Sequence, residues 1–376
     1  MRICFVSTYP PIECGIATYC SDLIEPLKTK SNEIYVVSQH GGTGENVFAA
    51  FNSSDPDLAD RIFNMLVKFT PDVVHIQHEF GLYGPMSGVN IIPLIYSLRM
   101  VGIPVVVTIH TVYRDISREH KIILDPIIRG SDAVIVHEEY QKEVINSTFD
   151  NPEHIFVIPH GVRDLRPVKD SKELLGLSGK KVILLAGYFR PGKGFLRIVK
   201  IFPEIVKRVP EATLVVASKM RIVEYSEDRN SFFDEINRSP VRDKIKVFCG
   251  QFPQKTLDTV ISAADVVPFS YTTGAQSGML AQILAFKKPF VASDLESFKN
   301  IAEKTKGGVI ATSDGEYIDS ISHILEDNDY AAQLSGNIKK YVESNLKWDI
   351  IANRHIEVYH KVLELPCGDA EYVCIV

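Results

Sequence analysis

Short apolar runs alternate along the chain with longer segments in which apolar residues recur every three or four positions. Nearly continuous runs are typical of strands buried on both faces of a sheet, and the periodic segments indicate amphipathic helices. In the first half of the chain the runs predict strands at 3–7, 34–38, 72–77, 104–109, 133–137 and 155–159. Because helices are predicted between most of these strands, we expect a parallel sheet with helices on both faces.

The alternation breaks between residues 161 and 178, where charged residues are frequent, and we interpret this segment as a connection between domains. The alternation then resumes, with strands predicted at 182–187, 213–218, 244–248, 265–269, 289–293 and 308–310. The predicted fold class is therefore α/β, with two Rossmann-like, doubly wound parallel-sheet domains. The cleft between two such domains is the usual place for a ligand.

The composition argues against several functional classes. The chain has 376 residues, of which 45% are hydrophobic and 23% charged, as in ordinary globular proteins. Its net charge of −6 argues against a nucleic-acid partner, because such proteins usually carry an excess of basic residues. Six cysteines without a C-x-x-C pair predict neither a zinc site nor a disulfide framework, so a cytoplasmic location is expected. No apolar segment is long enough for a signal peptide or a membrane span.

Gly15 lies between the first predicted strand and the first predicted helix. Backbone N–H groups at the start of a helix bind phosphate well, and a strand–glycine–helix order recurs in nucleotide-binding folds. The three-glycine dinucleotide fingerprint is absent, because no glycine lies two or five positions from Gly15. A phosphate contact and a simple turn both remain open for this residue.

Two loops of the second domain indicate an anion site. The first runs from Gly187 to Gly194 and contains Arg190 and Lys193, two cations suited to a diphosphate. The second ends at Gly278, where a predicted helix begins and where free N–H groups and the helix dipole favour negative charge. A turn, a helix cap and solvated surface charges would explain each loop taken alone. The two loops together favour phosphate binding.

Polar residues follow the predicted strands of the first domain, at the edge where parallel sheets bind ligands. His78 and Glu79 follow the third strand, and His110 and Tyr113 follow the fourth. We interpret His78, Glu79 and Tyr113 as candidate acceptor-binding residues, whereas His75, inside its strand, is predicted to lie in the core. No metal is expected, because no second histidine follows His78 at helical spacing.

A basic segment follows the fourth strand, with Arg114, Arg118, His120 and Lys121 preceding three apolar residues at 122–124. Such a segment can bind an anionic acceptor or contact an anionic membrane surface, which would place the protein at the inner face of the membrane. An amphipathic surface helix explains the same residues and is the simpler interpretation.

Seven motifs follow one another along the chain: YPPIECGIATY, HIQHEF, TIHT, IPHGV, GYFRPGKG, SGMLAQILAFKKPFVAS and LKWDIIANRHIEVYHKVL. Their joint order, from Met1 to about Leu363, resembles that of the GT-B glycosyltransferases of family 4. The resemblance implies that residues 1–165 bind the acceptor and that residues 166–345 bind a nucleotide sugar. It also implies that a helix within residues 346–376 returns to the first domain.

The resemblance assigns roles to individual residues. It implies that Gly15 meets the donor phosphate, that His110 faces the transferred sugar and that Lys193 binds the diphosphate. Further donor contacts would come from the residues at the helix mouth, which are Gln276, Ser277 and Gly278.

The chain departs from the family pattern at three positions. Tyr188 stands where the family often has arginine, so Arg190 is expected to take over that role. The two family glutamates that hold sugar and ribose hydroxyls are Gly274 and Gln282 in this chain. Gln282 can still hydrogen bond to hydroxyl groups, but without the help of a charge. The identity of the donor sugar is therefore left open.

The predicted function is a retaining glycosyltransferase that moves a hexose from a nucleotide-diphosphate sugar to a glycan, lipid-linked or small-molecule hydroxyl acceptor. Its catalytic candidates are His110, Arg190 and Lys193, and the resemblance implies no metal or other cofactor. No carboxylate pair of the glycosidase type is identifiable, so catalysis would depend on positioning and on stabilising the departing diphosphate. Two alternatives stay open: another GT-B enzyme, such as a sugar-nucleotide epimerase, and a non-catalytic relative that binds a sugar nucleotide or a partner.

Overall fold

The computed structural model describes residues 1–219, 226–250, 252–273 and 278–364. The chain divides into two compact units. Unit 1 contains Met1–Gly161 and the C-terminal helix that begins at Trp348, and unit 2 contains Val162–Lys347. Three residues singled out in the sequence, Gly274, Gln276 and Ser277, lie outside the described residues, as does the tail after residue 364.

Unit 1 is built on a parallel sheet. Within the described residues its strands are β1 (Arg2–Ser7), β2 (Glu33–Gln39), β3 (Val47–Phe51), β4 (Val73–His78), β5 (Val105–Ile109), β6 (Ala133–Val136) and β7 (Ile155–Val157). Their order is β3-β2-β1-β4-β5-β6-β7, and every neighbouring pair is parallel. The six predicted strands are present, whereas β3 was not predicted. The order reverses between β1 and β4, and ligands bind beyond the carboxyl ends of the strands at such a switch point.

Helices cover both faces of this sheet. They are α1 (Gly15–Thr29), α2 (Leu58–Leu66), α3 (Pro85–Gly88), α4 (Ile91–Met100), α5 (Arg118–Gly130), α6 (Glu139–Thr148) and, last in the chain, α15 (Trp348–Glu364). Because side chains alternate between the two faces, Cys4 and Val6 join a core with α2, α4 and α5. Ile3 and Phe5 join the opposite core with α1 and α15.

Unit 2 repeats the same design. Its strands are β8 (Lys181–Tyr188), β9 (Ala212–Lys219), β10 (Ile245–Cys249), β11 (Val267–Phe269), β12 (Phe290–Ala292) and β13 (Gly308–Ile310). They form two parallel sheets, β10-β9-β8 and β11-β12-β13, and a parallel bridge between Ile183 and Val266 joins them. The strand order is thus β10-β9-β8-β11-β12-β13, with a switch point between β8 and β11. The predicted α/β fold with parallel sheets is confirmed.

The helices of unit 2 are α7 (Ser171–Leu174), α8 (Phe195–Arg208), α9 (Ser226–Arg238), α10 (Gln254–Ala263), α11 (Gly278–Ala285), α12 (Glu296–Thr305), α13 (Asp314–Glu326) and α14 (Asn328–Asn345). Helix α8 shows how the sequence determines them, because Phe195, Ile198, Val199 and Phe202 recur at helical spacing and are all buried. Among the described residues, no helix combines the length and the apolar character needed to cross a membrane.

Candidate active site

The two glycine-containing loops of unit 2 lie side by side at its switch point. The Thr272 N–H donates to the Gly192 carbonyl over 2.8 Å, and the Ser270 hydroxyl donates to the Gly194 carbonyl over 2.8 Å. Gly194 has a φ of +64°, and a side chain there would overlap the carbonyl oxygen of Ser270. The residues that follow β8 and β11 are thereby joined into one surface at the carboxyl edge of the sheet.

Lys193 is half-buried at this edge. Its ammonium lies 5.3 Å from the centre of the Tyr271 ring, and it occupies the space beside Gly187 that a larger residue would fill. Burial, and then the positive charge of the exposed Arg190, lower the pKa of Lys193 to about 8. Among the described residues, no carboxylate pairs with either cation. An anion bound here would therefore find two cations whose charges are not neutralised.

Helix α11 begins at Gly278, which is exposed and has nothing within 4 Å of the position that a side chain would take. The first N–H groups of a helix lack partners within the helix and carry its positive dipole. The helix mouth predicted from the sequence is therefore present at the carboxyl edge that also holds Lys193. Its preceding residues Gln276 and Ser277 are not described.

Gln282, the predicted ribose-binding residue, belongs to a polar cluster in α10 and α11. Its side-chain oxygen accepts a hydrogen bond from Arg163, whose guanidinium also donates to Asp258 over 2.8 Å. A guanidinium can only donate, so the Gln282 oxygen faces Arg163 and its NH₂ group points elsewhere. Sequence reasoning missed Arg163, which was counted among the charges of the connecting segment, and Asp258, which gave no signal.

In unit 1, Gly15 opens α1 at the switch point beside β1. No side chain caps this helix, because Cys14 occupies the cap position without a hydrogen bond from its thiol. Gly15 is exposed, and the position that a side chain would take is free of other atoms within 4 Å. An anion could therefore approach the start of this helix, and the phosphate contact of Gly15 stays a prediction.

His110 is buried at the end of β5 and is held on both sides. Its Nε2 lies 2.8 Å from the terminal amide of Gln77, and its Nδ1 lies 3.2 Å from Nε2 of His137. The Tyr19 ring packs against it at a right angle, with the ring centres 4.8 Å apart. Burial, and then the neighbouring His137, hold the pKa of His110 well below its usual range. The ring is therefore neutral at pH 7. Both of its nitrogens lie within hydrogen-bond distance of protein groups.

His75 lies in the core, as predicted. It is completely buried, and its Nδ1 is 2.7 Å from the hydroxyl of Tyr359 on α15. Its Nε2 is 2.8 Å from the hydroxyl of Thr108 and 3.2 Å from the terminal amide of Gln77. The neutral ring thus links two strands to the C-terminal helix.

The predicted acceptor residues lie at the ends of β4 and β5. His78 is buried, and neither ring nitrogen has a hydrogen-bond partner among the described residues. Burial, and then the nearby His120, lower its pKa to about 4. The Glu79 carboxylate accepts a hydrogen bond from the Thr111 hydroxyl over 2.7 Å, and burial raises its pKa. His78 and Glu79 are neighbours at this edge, but only the Glu79 side chain has a hydrogen-bond partner among the described residues.

Tyr113 belongs to an aromatic layer at the same edge. Its ring and that of His120 are inclined by only 15°, with their centres 5.6 Å apart, and Phe80 stacks on His120 at 3.9 Å. The centres of Phe80 and Tyr113 are 6.5 Å apart. These three distances place Tyr113 beside His120 rather than above it, so the two rings form one flat surface. Tyr113 is 45% exposed.

In the ranges that the structure describes, no group of three histidine, cysteine, aspartate or glutamate side chains is placed to hold a metal ion.

Two family models match consecutive parts of the chain. Residues 14–164 match the model described as Glycosyltransferase Family 4, and residues 169–341 match the model described as Glycosyl transferases group 1. The chain belongs to the GT-B glycosyltransferases of these two families. A phosphatidyl-myo-inositol mannosyltransferase of Mycolicibacterium smegmatis is 24% identical to this glycosyltransferase, over 96% of this chain and 94% of its own length.

Solved glycosyltransferase structures share the fold. A glycosyltransferase from Rickettsia africae superposes with a TM-score of 0.77 at 16% identity, covering 96% of this chain and 99% of its own. HepE from Anabaena, in complex with UDP and glucose, gives a TM-score of 0.73 at 14% identity, covering 96% of this chain and 100% of its own. At these identities the likeness concerns the fold alone.

Proposed function

We propose that this glycosyltransferase moves a hexose, with retention at the anomeric carbon, from a nucleotide-diphosphate sugar to a hydroxyl acceptor. The observation that carries the proposal is the pair of unneutralised cations, Lys193 and Arg190, at the same sheet edge as the open start of α11. A diphosphate matches this arrangement in charge, and HepE, which shares the fold, was solved in complex with UDP. No metal is required in this proposal, because protein cations supply the positive charge.

The cations would act on the leaving group. As the bond between the anomeric carbon and the diphosphate breaks, negative charge grows on the phosphate oxygen, and fixed positive groups lower the energy of that state. Lys193, with a pKa of about 8, is mostly protonated at pH 7, and a bound anion would raise this pKa further. The acceptor oxygen forms the new bond to carbon from the same face, and its proton passes to the departing phosphate oxygen.

The proposed acceptor is a glycan, a lipid-linked sugar or a small polyol that lies over the flat surface formed by Tyr113 and His120. An aromatic face offers a broad apolar contact to the C–H face of a sugar ring, and polar groups beside it can bind the hydroxyls. Glu79 and His78 are two of the polar side chains at this edge. The cations Arg114, Arg118 and Lys121 would favour an acceptor that carries phosphate.

The proposal is tested by thermal-shift measurements with UDP, GDP, ADP and CDP and their common sugar conjugates. A ligand that binds only the folded protein raises its apparent stability, so one nucleotide class is expected to raise the Tm. Lys193→Ala is expected to weaken that binding about 10- to 100-fold, since a hydrogen bond to a charged group contributes about 1.5–3 kcal/mol. Lys304→Ala, at an exposed position of α12, is the matched control and should bind as the wild type does.

Four results would count against the proposal. Equal nucleotide affinity in Lys193→Ala and wild type would contradict the assignment of Lys193 to the diphosphate. If no nucleotide raised the Tm, the proposal that the donor is a nucleotide sugar would be contradicted. Binding without transfer to any acceptor would favour the non-catalytic alternative suggested by Gly274 and Gln282. Conversion of the donor in the absence of an acceptor would favour an epimerase.

A further inference from the structure

A chain of buried hydrogen bonds crosses unit 1 from the C-terminal helix to the end of β7. It joins, in order, Tyr359, His75, Gln77, His110, His137 and the backbone carbonyl of Ile158, with separations of 2.7, 3.2, 2.8, 3.2 and 2.9 Å. All five side chains are at most 6% exposed. Buried polar groups need partners inside the protein, so each link constrains the positions of the hydrogen atoms in the next.

The carbonyl at one end sets the direction of the chain. The Ile158 oxygen can only accept, so Nδ1 of His137 must carry a hydrogen. In a neutral ring Nε2 of His137 then has a lone pair, and the neighbouring Nδ1 of His110 must donate to it. Nε2 of His110 is left with a lone pair, which requires a donor.

The terminal amide of Gln77 supplies that donor. As the amide is placed, its oxygen lies 2.8 Å from Nε2 of His110 and its nitrogen 3.2 Å from Nε2 of His75, so exchanging the two atoms supplies the donor. In the exchanged orientation the NH₂ group donates to Nε2 of His110 and the oxygen accepts from Nε2–H of His75. Amide oxygen and nitrogen have nearly the same shape, so the hydrogen-bond network decides which is which. Nδ1 of His75 then accepts from the Tyr359 hydroxyl, and every group in the chain is satisfied while all three rings stay neutral.

The opposite orientation of the Gln77 amide has a cost. Its oxygen would accept from Nε2–H of His110, whose Nδ1 could then only accept from His137. His137 would have to donate from both nitrogens, which makes it a buried imidazolium, and none of its hydrogen-bond partners is a carboxylate. Burying an unpaired charge is far more costly than rotating an amide, so the neutral arrangement is favoured.

We propose that Gln77 and His137 are positioning residues that hold His110 as a neutral ring with its hydrogen on Nδ1. This rests on the proposed function, in which His110 faces the transferred sugar. Because protein groups occupy both nitrogens, His110 cannot remove the proton of the acceptor hydroxyl. Its part in the reaction is to present the carbon edge of a fixed ring to the sugar, and proton transfer to the leaving diphosphate needs no histidine base.

The test is NMR spectroscopy of the full chain labelled with ¹⁵N-histidine, in which couplings to ring protons show which nitrogen carries hydrogen. His110→Asn identifies the signals of His110 by their loss. In the wild type at pH 7 we expect hydrogen on Nδ1 of His110. In Gln77→Glu the new carboxylate can only accept a hydrogen bond, so the hydrogen should appear on Nε2 of His110. Gln77→Met is similar in size but forms no hydrogen bond, so the hydrogen should stay on Nδ1 of His110.

Hydrogen on Nε2 of His110 in the wild type, or on Nδ1 in Gln77→Glu, would overturn the assignment. Once a donor is known, Gln77→Glu should lower kcat about 10- to 100-fold, as expected for a misplaced active-site group, while nucleotide affinity stays within about twofold. An unchanged kcat with an altered hydrogen position would overturn the positioning role. If no nucleotide binds, the proposed function fails, and the NMR result still decides how His110 is held.

Discussion

At the scale of a single residue, Gly194 allows the two loops of unit 2 to lie against each other. Its φ of +64° is one that side chains rarely adopt, and a side chain would also overlap the backbone carbonyl of Ser270. Backbone atoms cannot move aside as a flexible side chain can. The pairing of the loops that place Lys193 therefore depends on the absence of a side chain at this position.

We expect Gly194→Ala to lower the free energy of unfolding of unit 2 by about 1–3 kcal/mol, the usual cost of a strained backbone position. Urea denaturation followed by circular dichroism measures this change. Gly278→Ala is the matched control, because its side chain would meet no atom within 4 Å, and it should change stability by less than about 0.5 kcal/mol. Equal changes in the free energy of unfolding for the two substitutions would show that the loops can move apart and avoid the overlap at Gly194.

Site residues could be predicted from the sequence where one short segment carries the signal. Arg190 and Lys193 lie within a single glycine-rich turn, and the structure places that turn at a switch point. Arg163 and Asp258 are 95 residues apart, and their hydrogen bond arises from the packing of the connecting segment against α10. Contacts of this kind depend on tertiary structure, for which a local pattern gives no signal.

At the scale of elements, helix α15 is attached to the sheet of unit 1 by a buried polar contact. The hydroxyl of Tyr359 lies 2.7 Å from Nδ1 of His75, and both side chains are completely buried. On the same helix, Ile351 and Val358 pack in the core that also contains α1. The apolar contacts supply most of the attachment, while the hydroxyl satisfies a ring nitrogen that has no access to water.

We expect Tyr359→Phe to lower the free energy of unfolding of unit 1 by about 1–3 kcal/mol, because Nδ1 of His75 would be buried without a partner. Thermal and urea unfolding measure the effect. Tyr96→Phe on α4 removes the same hydroxyl from a residue that is 41% exposed, and it should change stability by less than about 0.5 kcal/mol. A loss no larger than that of Tyr96→Phe would mean that His75 finds another donor.

The strands were predictable because buried parallel strands are apolar along their whole length, a pattern visible in a single sequence. The exception, β3, is also apolar, but its five residues include Ala49 and Ala50 and fit a helix as well as a strand. It lies at the edge of the sheet, where only Phe51 is buried. This short run becomes a strand because it pairs with the edge of β2. That edge exists only once the sheet has assembled, so the local sequence does not reveal it.

At the scale of the whole molecule, histidines are concentrated in unit 1. Of the 11 histidines in the chain, only His323 belongs to unit 2. Six histidines of unit 1 have a lowered pKa with burial as the largest cause: His75, His78, His110, His137, His160 and His355. The lowered pKa values make the stability of this unit dependent on pH in a way that unit 2 does not share.

The sign of that dependence follows from linkage. Each of these groups has a lower pKa in the folded unit than in the unfolded chain, where it is about 6.5. Below pH 6.5 the unfolded chain therefore binds protons that the folded unit does not, and stability falls with pH. For His78 and His355 the loss continues to about pH 4, and for His137 to about pH 3. The full contribution is present only above about pH 6.5.

Each histidine that stays neutral costs about 1.4 kcal/mol per pH unit below 6.5, so a few of them would consume much of the stability of a domain. We expect unit 1 to unfold in urea at a clearly lower concentration at pH 5.5 than at pH 7.5. Trp348 is the single tryptophan of the chain and lies in unit 1, where its ring packs 5.7 Å from that of His160. Its fluorescence therefore reports the unfolding of this unit alone.

Hydrogen exchange measured by mass spectrometry on peptides from β8 and β9 serves as the internal control, because it follows unit 2 in the same sample. Acidification to pH 5.5 should shift the fluorescence transition of Trp348 much more than the loss of protection in these two strands. Parallel shifts of both signals would show that the acid sensitivity is not specific to the buried histidines. An unchanged fluorescence midpoint would mean that these rings can take up protons without leaving the folded unit.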